Sequence, residues 1–286
     1  MNVNTFKTGI LLAGLGGLFI LFGRLLLDGA GAFIGLMLAF AIVGWSYWNS
    51  AKLALRAAGA QPVSEQQMPE YYRIVRELAQ AGDIPMPSPY VAASMQPNAF
   101  ATGRNPKNAA VAVTEGILQV LDWDELKGVL AHEISHVKNR DILISSVAAA
   151  IAVAISYLAN MAQFAAIFGV GRSDDDDGPG FLQLILLAIL APMAAMIMQL
   201  ALSRSREFDA DRTGARLVQD GEALARALEK IDNYAKQVPM KIDPAHAQAY
   251  IINPFTGHSV NFAGLFKSHP PTAERVARLR SREWAE

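Results

Sequence analysis

The chain of 286 residues contains no cysteine and few charged residues. Without cysteine it cannot form a disulfide, use a thiolate nucleophile or bind zinc through sulfur, so any metal site must be built from His, Asp or Glu. Charged residues make up 18% of the chain, below the roughly 25% that is usual in soluble globular proteins, whereas 52% are hydrophobic. This deficit of charge indicates a membrane protein.

The chain also lacks an excess of either charge. It has 25 Lys and Arg against 26 Asp and Glu, a formal net charge of −1. A general electrostatic attraction to nucleic acid needs a strongly basic domain or face, so this class of partner is excluded. The hydrophobic content excludes an intrinsically disordered chain.

Four long runs carry no charge at all. They are residues 8–23, 29–51, 142–171 and 178–203. A membrane-spanning helix needs about 20 apolar residues. Three runs are long enough, and the first becomes so if Arg24 snorkels to the surface and residues 25–27 complete the span. We therefore expect four transmembrane helices in two hairpins, with both termini on one side.

The distribution of Lys and Arg near the ends of the spans predicts the orientation. On the side of the membrane that does not hold the termini, only Arg24 and Arg172 are basic. Seven basic residues lie on the side that holds the termini: Lys7, Lys52, Arg56, Lys138, Arg140, Arg204 and Arg206. This bias places both termini in the cytosol. We expect a first hairpin in residues 1–51, a first soluble segment in 52–141, a second hairpin in 142–203 and a second soluble segment in 204–286.

The two soluble segments, of about 90 and 80 residues, together match one domain of ordinary size. The first predicts a helix over residues 69–81 and then a small β-sheet from three short apolar runs, 90–93, 99–102 and 109–114. A further helix follows, with Asp122 or Asp124 as its cap. The second segment predicts helices over residues 207–219, 222–235 and 270–280. The expected fold class is a mainly α integral membrane protein with a split α+β domain.

One motif in the first segment carries chemistry. The pentapeptide His132-Glu133-Ile134-Ser135-His136 has the form H-E-x-x-H. On a helix, residues four apart project from one face, so both imidazoles can hold one metal ion. Glu133 lies beside them and can activate a water molecule without being a ligand. A chance match arises in roughly one chain of this length in three hundred, so a purely structural role for the two histidines is the weaker reading.

A catalytic zinc ion needs a third protein ligand and an open position. His136 precedes one uncharged run by six residues and Glu207 follows another by four, so the hairpin returns both side chains to the same depth. We favour Glu207 as the third ligand, with Asp209 or Asp211 as weaker alternatives. Asp211, one turn after Glu207, is otherwise suited to accept a hydrogen bond from a ligand imidazole. These acidic residues belong to a run of mixed charge over residues 204–212. Taken alone, such a run would more often be a solvated, salt-bridged helix face.

Three histidines lie outside the motif. His246 and His258 carry no pattern beyond that of surface or core residues. His269 directly precedes two prolines that open the last predicted helix, and Arg275 follows six positions later. His269 is a candidate hydrogen-bond donor to the substrate oxygen that becomes negative during the reaction.

Several motifs, in this order along the chain, resemble those of the HtpX family of bacterial membrane zinc metalloproteases. They are QPNAFATG at residues 96–103, HEISH at 132–136, SREFDAD at 205–211 and HPP at 269–271. That family is of the gluzincin type and is related to CAAX prenyl endoproteases. The resemblance spans essentially the whole chain, including the four spans and the split soluble domain.

The resemblance implies a zinc endopeptidase with one zinc ion per chain on His132, His136 and Glu207, and with Glu133 as general base and acid. It also implies that His269 faces the active site and that Arg275 supports it. An edge strand on which an extended substrate lies is implied for the following residues: Asn98, Ala99, Phe100, Ala101 and Thr102.

The resemblance further implies a protein of the bacterial inner membrane that acts in stress response and in the quality control of misfolded or damaged membrane proteins. Self-cleavage and an ATP-dependent membrane protease as partner are implied too. Specificity for prenylated substrates does not follow, because prenyl proteases have more membrane spans. Residues 239–257 are a candidate lid over the site, and divalent ions other than zinc could fit the same ligands.

A rival hypothesis is a membrane scaffold that keeps zinc for structure alone. Such a scaffold has no need of Glu133, so Glu133→Gln would leave its function intact. A transporter or channel is a weaker alternative, because no span carries an interior charge to mark an ion path.

Overall fold

The structure is a computed structural model, and it describes residues 48–142, 204–237 and 270–285 together with residues 37, 41, 44 and 45. The predicted spans at residues 8–23 and 178–203 lie outside the described residues, as do most of those at 29–51 and 142–171. His246, His258, His269 and the candidate lid also lie outside them. Among the helices that are described, none is both long and apolar enough to cross a bilayer.

A small mixed sheet is formed by residues that precede the H-E-x-x-H motif in the chain. Its strands are β1 (Ala60–Pro62), β2 (Ser88–Ala92), β3 (Ala99–Gly103) and β4 (Ala109–Thr114). They follow the order β1-β2-β4-β3, with β2 and β4 parallel and the two outer pairs antiparallel. The three predicted strands are confirmed to within two residues. The sequence analysis missed β1, because three residues are too few to show an alternating pattern.

The two faces of the sheet pack against different helices. Val111 and Val113 belong to the main core, whereas their neighbours Ala110 and Ala112 pack with Leu55. Leu55 belongs to a helical segment over residues 48–57. Because β3 is the last strand in the order, one of its edges has no strand partner among the described residues.

Besides the helical segment over residues 48–57, six α-helices are described. They are α1 (Pro69–Ala81), α2 (Glu115–Val120), α3 (Trp123–Lys138), α4 (Arg204–Val218), α5 (Glu222–Gln237) and α6 (Thr272–Arg280). The helices predicted at residues 69–81, 207–219, 222–235 and 270–280 are confirmed, with ends that differ by at most three residues. The sequence therefore predicted most of the helical frame around the motif.

Helix α3 begins with a capping box. The Asp122 side chain accepts from the Glu125 amide and the Glu125 side chain accepts from the Asp122 amide, which satisfies two amides at the helix start. The buried Glu125 carboxylate also accepts from Lys230 Nζ of α5 at 2.6 Å. The start of the motif helix is thus bonded to helix α5 in the second predicted segment, residues 204–286.

One hydrophobic core joins the two segments that were predicted to be soluble. It contains Leu130 and Ile134 of α3 together with Ala215 of α4 and Leu228 of α5. Helix α3 lies at its centre and contacts α1, α4, α5 and β3. Apolar burial is the main force that holds such segments together, at about 1.5–3 kcal/mol for each fully buried Leu or Ile.

Two glycines let the helices approach α3 closely. A Cβ atom at Gly214 of α4 would lie 2.9 Å from the backbone nitrogen of His132, and one at Gly128 of α3 would lie 2.7 Å from the backbone nitrogen of Leu224. Any larger residue would push the helices apart. Gly214 therefore sets the distance between the H-E-x-x-H helix and the helix that carries Glu207.

Candidate active site

Three potential metal ligands meet between α3 and α4. His132 and His136 lie one turn apart on α3 and Glu207 lies on α4, and one ligand atom from each falls within 4.8 Å of the others. The two Nε2 atoms are 3.2 Å apart, and each lies 3.6 Å from a Glu207 carboxylate oxygen. The cluster contains neither Asp209, which is exposed, nor Asp211.

These spacings fit a divalent cation. Nitrogen and oxygen ligands placed tetrahedrally at 2.0–2.2 Å from a zinc ion lie about 3.3–3.6 Å from one another. His132 and Glu207 are buried, whereas the His136 side chain is 15% exposed. The donor set of two imidazoles and one carboxylate suits zinc and leaves a fourth position open.

The carboxylate of Asp211 contacts the His132 ring on the side away from the cluster. Its Oδ1 lies 2.9 Å from His132 Nδ1, so the other ring nitrogen, Nε2, faces the cluster. Arg275 of α6 donates two hydrogen bonds to the same carboxylate, from Nη2 at 2.7 Å and from Nε at 2.8 Å. Both Arg275 and Asp211 are buried. The structure thus places Asp211 beside a predicted ligand imidazole, as expected. Arg275, which was expected to support His269, contacts Asp211 instead, and His269 lies outside the described residues.

Charges within this group shift two pKa values. Burial alone would lower the pKa of His132, but the hydrogen bonds to Asp211 and Glu207 outweigh it and raise this pKa to about 9. Burial alone would raise the pKa of Asp211, but Arg275 and His132 together lower it to about 2. In the metal-free protein, the pair is therefore an imidazolium and a carboxylate at neutral pH. A metal ion that binds His132 must displace this proton.

Asp141 holds the second histidine and was missed by the sequence analysis. His136 Nδ1 lies 3.2 Å from Asp141 Oδ2, and Asp141 is buried. A residue five positions after His136 would not face it on a continuous helix. The contact is made because α3 ends at Lys138 and Arg140 adopts a positive φ of 61°, which turns the chain back. No residue pattern in the sequence signals that turn.

Glu133 faces β3 from the neighbouring helix position. Its side chain is buried, and its Oε2 accepts a hydrogen bond of 2.9 Å from the backbone amide of Ala101. Of the other residues predicted to bind substrate, Asn98, Ala99 and Thr102 are buried and Phe100 is half-buried. The structure therefore brings the predicted base and the predicted substrate strand together.

A buried arginine, Arg206, adjoins the cluster and was not predicted as a site residue. Its terminal nitrogens Nη1 and Nη2 have no hydrogen-bond partner among the described residues. Burial lowers the pKa of Arg206, whereas the carboxylates of Asp141 and Glu207 oppose that shift. Arg206 thus brings a positive charge close to two of the acidic groups of the site.

Comparison with known proteins places the chain in a family. Residues 65–283 match the model of Peptidase family M48. The chain is 51% identical over 279 residues to the Protease HtpX homolog of Syntrophobacter fumaroxidans, with 96% of this chain and 98% of the relative covered. It is 49% identical over 277 residues to the Protease HtpX homolog of Thermococcus sibiricus, with 96% and 94% covered.

A solved structure shows the same fold. The crystal structure of S. mikatae Ste24p matches with a TM-score of 0.53 at 18% identity, and the match covers 96% of this chain and 65% of that chain. At this identity the likeness bears on the fold alone. Together with the sequence relatives, it confirms the resemblance that the motifs indicated. The chain therefore belongs to peptidase family M48, and it is a metalloprotease.

Proposed function

We propose that the protein is a zinc-dependent endopeptidase that cleaves misfolded or damaged membrane proteins at the cytosolic face of the bacterial inner membrane. The observation that carries this proposal is the cluster of His132, His136 and Glu207, whose closest ligand atoms lie 3.2 and 3.6 Å apart, close to the spacings of a tetrahedral site. Glu133 adjoins the cluster and contacts an edge strand. The residues proposed as metal ligands, base and substrate strand therefore lie close together, which supports the proposal.

A bound zinc ion supplies Lewis acidity, which polarises a carbonyl group and makes a water molecule easier to deprotonate. Glu133 takes the proton from the attacking water as its oxygen adds to the carbonyl carbon. When the carbon–nitrogen bond then breaks, Glu133 passes that proton to the leaving amine. His269 donates a hydrogen bond to the carbonyl oxygen as it becomes negative.

An extended substrate is expected to add to the edge of β3 that has no strand partner among the described residues. Residues 98–102 run along the edge of the sheet beside α3, which carries the two histidines and Glu133. Strand addition recognises backbone groups rather than one sequence, so it suits an enzyme that must accept many damaged proteins. Misfolded chains provide the extended segments that such binding needs.

The proposed location at the membrane is supported by the sequence. The four charge-free runs are proposed to be the spans, and the bias of Lys and Arg favours a cytosolic site. His136 and Glu207 each lie within six residues of a proposed span, which supports a site close to the bilayer. An ATP-dependent membrane protease is the proposed partner, and copies of the chain itself are proposed substrates.

The experiment compares the wild type with Glu133→Gln, each purified in mild detergent with a chelator that prevents self-digestion. Zinc is then added, and cleavage of an unfolded protein and of the chain itself is followed by gel electrophoresis. We expect zinc to restore cleavage in the wild type only, while both proteins bind one zinc ion per chain. Equal zinc binding with no cleavage by either protein would favour the structural scaffold instead.

A further inference from the structure

The backbone of β3 faces β4 at alternate residues. Just before β3, the Thr114 amide donates to the Asn98 carbonyl at 2.9 Å, and the Asn98 amide donates to Thr114 Oγ1 at 2.9 Å. Antiparallel pairing repeats every second residue, so the backbone groups of Ala99 and Ala101 point away from β4. For Ala101 this direction is observed directly, because its amide donates to Glu133.

That hydrogen bond fixes one oxygen of the base. Glu133 Oε2 accepts from the Ala101 amide at 2.9 Å, and the side chain is buried. A carboxylate held at one oxygen cannot rotate freely, so the orientation of its other oxygen is set as well. Hydrogen bonds to a charged group are also roughly twice as strong as neutral ones.

We propose that the backbone amide of Ala101 is a positioning group for Glu133, so that one strand both holds the substrate and orients the base. This inference rests on the proposed function. It gives β3 a role beyond strand addition, because the amide at position 101 is used by the enzyme itself and is withheld from the substrate.

This use of the Ala101 amide fixes the register of the substrate. A strand added to β3 can pair with the amide and carbonyl of Ala99 and with the carbonyl of Ala101. The substrate carbonyl that would have accepted from the Ala101 amide receives no such bond. It is therefore free to turn towards the cluster of His132, His136 and Glu207, and we assign it as the carbonyl of the cleaved bond.

The test replaces the amide by an ester, which removes the N–H and adds no bulk. Nonsense suppression with lactic acid, the hydroxy acid that matches alanine, makes this change at position 101 and, as a matched control, at position 99. Each ester also weakens the carbonyl of the preceding residue as a hydrogen-bond acceptor. This carbonyl belongs to Phe100 for the ester at 101 and to Asn98 for the ester at 99. Both carbonyls face β4, so the two esters should affect the sheet alike. Only the first removes a hydrogen bond to Glu133.

The two esters are expected to change different kinetic constants. The ester at 101 should lower kcat about 10- to 100-fold with little change in KM, because it loosens the base. The ester at 99 removes a substrate contact, so its effect should fall mainly on KM. Both chains should bind one zinc ion with wild-type affinity, because Glu133 is not a ligand. A kcat within twofold of wild type for the ester at 101, or the same effect from both esters, would overturn the proposal.

Two further measurements keep the test decisive if an ester chain folds poorly. Ala101→Pro and Ala99→Pro remove the same two amides. At position 101 the proline ring would also fill the space of the Glu133 carboxylate, so kcat should fall at least as far as in the ester, whereas at position 99 the effect should again fall mainly on KM. In a Glu133→Asp background the shorter side chain no longer reaches the Ala101 amide. The ester at 101 should then reduce kcat less than twofold further. If the wild type itself fails to cleave with zinc, the proposed function fails, which is distinct from these outcomes.

Discussion

At the scale of single residues, the two histidines are held by two buried carboxylates. Asp211 contacts Nδ1 of His132 and Asp141 contacts Nδ1 of His136, which leaves each Nε2 directed at the cluster. Such contacts orient ligand rings and keep them basic. The sequence predicted the first, because Asp211 lies one helical turn after Glu207. The second depends on a backbone turn at Arg140, which side-chain spacing does not reveal.

Asp141→Asn is expected to lower zinc affinity about 10- to 100-fold, because the amide holds the His136 ring less firmly than a carboxylate does. Affinity is measured by competition with a chelator of known strength, and thermal unfolding of the metal-free protein serves as the check on folding. Asp124→Asn, an exposed change on the same helix, should leave affinity unchanged. An unchanged affinity in Asp141→Asn would show that the contact does not support the ligand.

The raised pKa of His132 predicts that zinc binding releases a proton. At about pH 7.5 a histidine with a pKa of about 9 is protonated, and zinc binds only the neutral ring. The heat of zinc binding, measured by calorimetry in two buffers of different ionisation enthalpy, should therefore differ between the buffers. The difference should correspond to the release of about one proton per zinc ion. Apparent affinity should rise with pH up to about 9. Heats that are independent of the buffer would contradict this.

The same shift predicts how the stability of the metal-free protein depends on pH. A pKa that folding raises from 6.5 to about 9 stabilises the native state fully below pH 6.5, and this contribution is lost as the pH rises through about 9. The free energy of unfolding of the chelator-treated protein should therefore fall between pH 6.5 and 9. A free energy of unfolding that stays constant across this range would contradict the raised pKa of His132.

At the scale of elements, the site depends on how closely α4 packs on α3. The backbone of Gly214 contacts the backbone of His132, so the two helices that carry the potential ligands are held at one fixed separation. The sequence predicted both helices from their periodicity. It did not predict that Gly214 lies at their crossing point, because a glycine within a helix shows no sign of the partner it faces.

Gly214→Ala is expected to move α4 away from α3, because the new Cβ would lie 2.9 Å from the His132 nitrogen. Overpacking of this kind costs about 1–3 kcal/mol in the free energy of unfolding, and the displaced Glu207 should lower zinc affinity as well. Chemical denaturation and chelator competition measure the two effects. Thr213→Ala, the neighbouring change, should alter stability by less than about 0.5 kcal/mol. Equal effects from both variants would contradict a specific role for Gly214.

Most strands of the sheet were predictable from the sequence, but their order was not. Strands β2, β3 and β4 were predicted because turn residues such as Pro97-Asn98 and Gly103 separate apolar runs. That residues 98–102 form an edge strand was implied by the family resemblance, whereas the order of the strands was not predicted. The hydrogen bond from Ala101 to Glu133 depends on that order, so it could only be found in the structure.

At the scale of the whole molecule, two segments far apart in the chain form one core. Leu130 of the first segment and Leu228 of the second belong to the same cluster, and Arg275 near the end of the chain supports His132 through Asp211. The split arrangement brings the third potential ligand, Glu207, back to the motif helix. Metal ligands from both segments would tie the two parts together whenever an ion is bound.

The proposed membrane topology is directly testable because the chain contains no cysteine. A single introduced cysteine is then the only thiol. In intact spheroplasts, a membrane-impermeant maleimide should label Asp175→Cys in the loop between the last two proposed spans. Gln80→Cys, exposed on α1, should react only after lysis. The reverse pattern of labelling would place the active site on the opposite side of the membrane.

The most direct test of the central claim is the anomalous scattering of the zinc-loaded protein, measured in crystals on both sides of the zinc absorption edge. We predict one peak per chain at about 2.0–2.2 Å from Nε2 of His132, Nε2 of His136 and a carboxylate oxygen of Glu207. A peak held by other side chains, or no peak in protein that binds zinc in solution, would contradict the assignment of the metal site and the mechanism built on it.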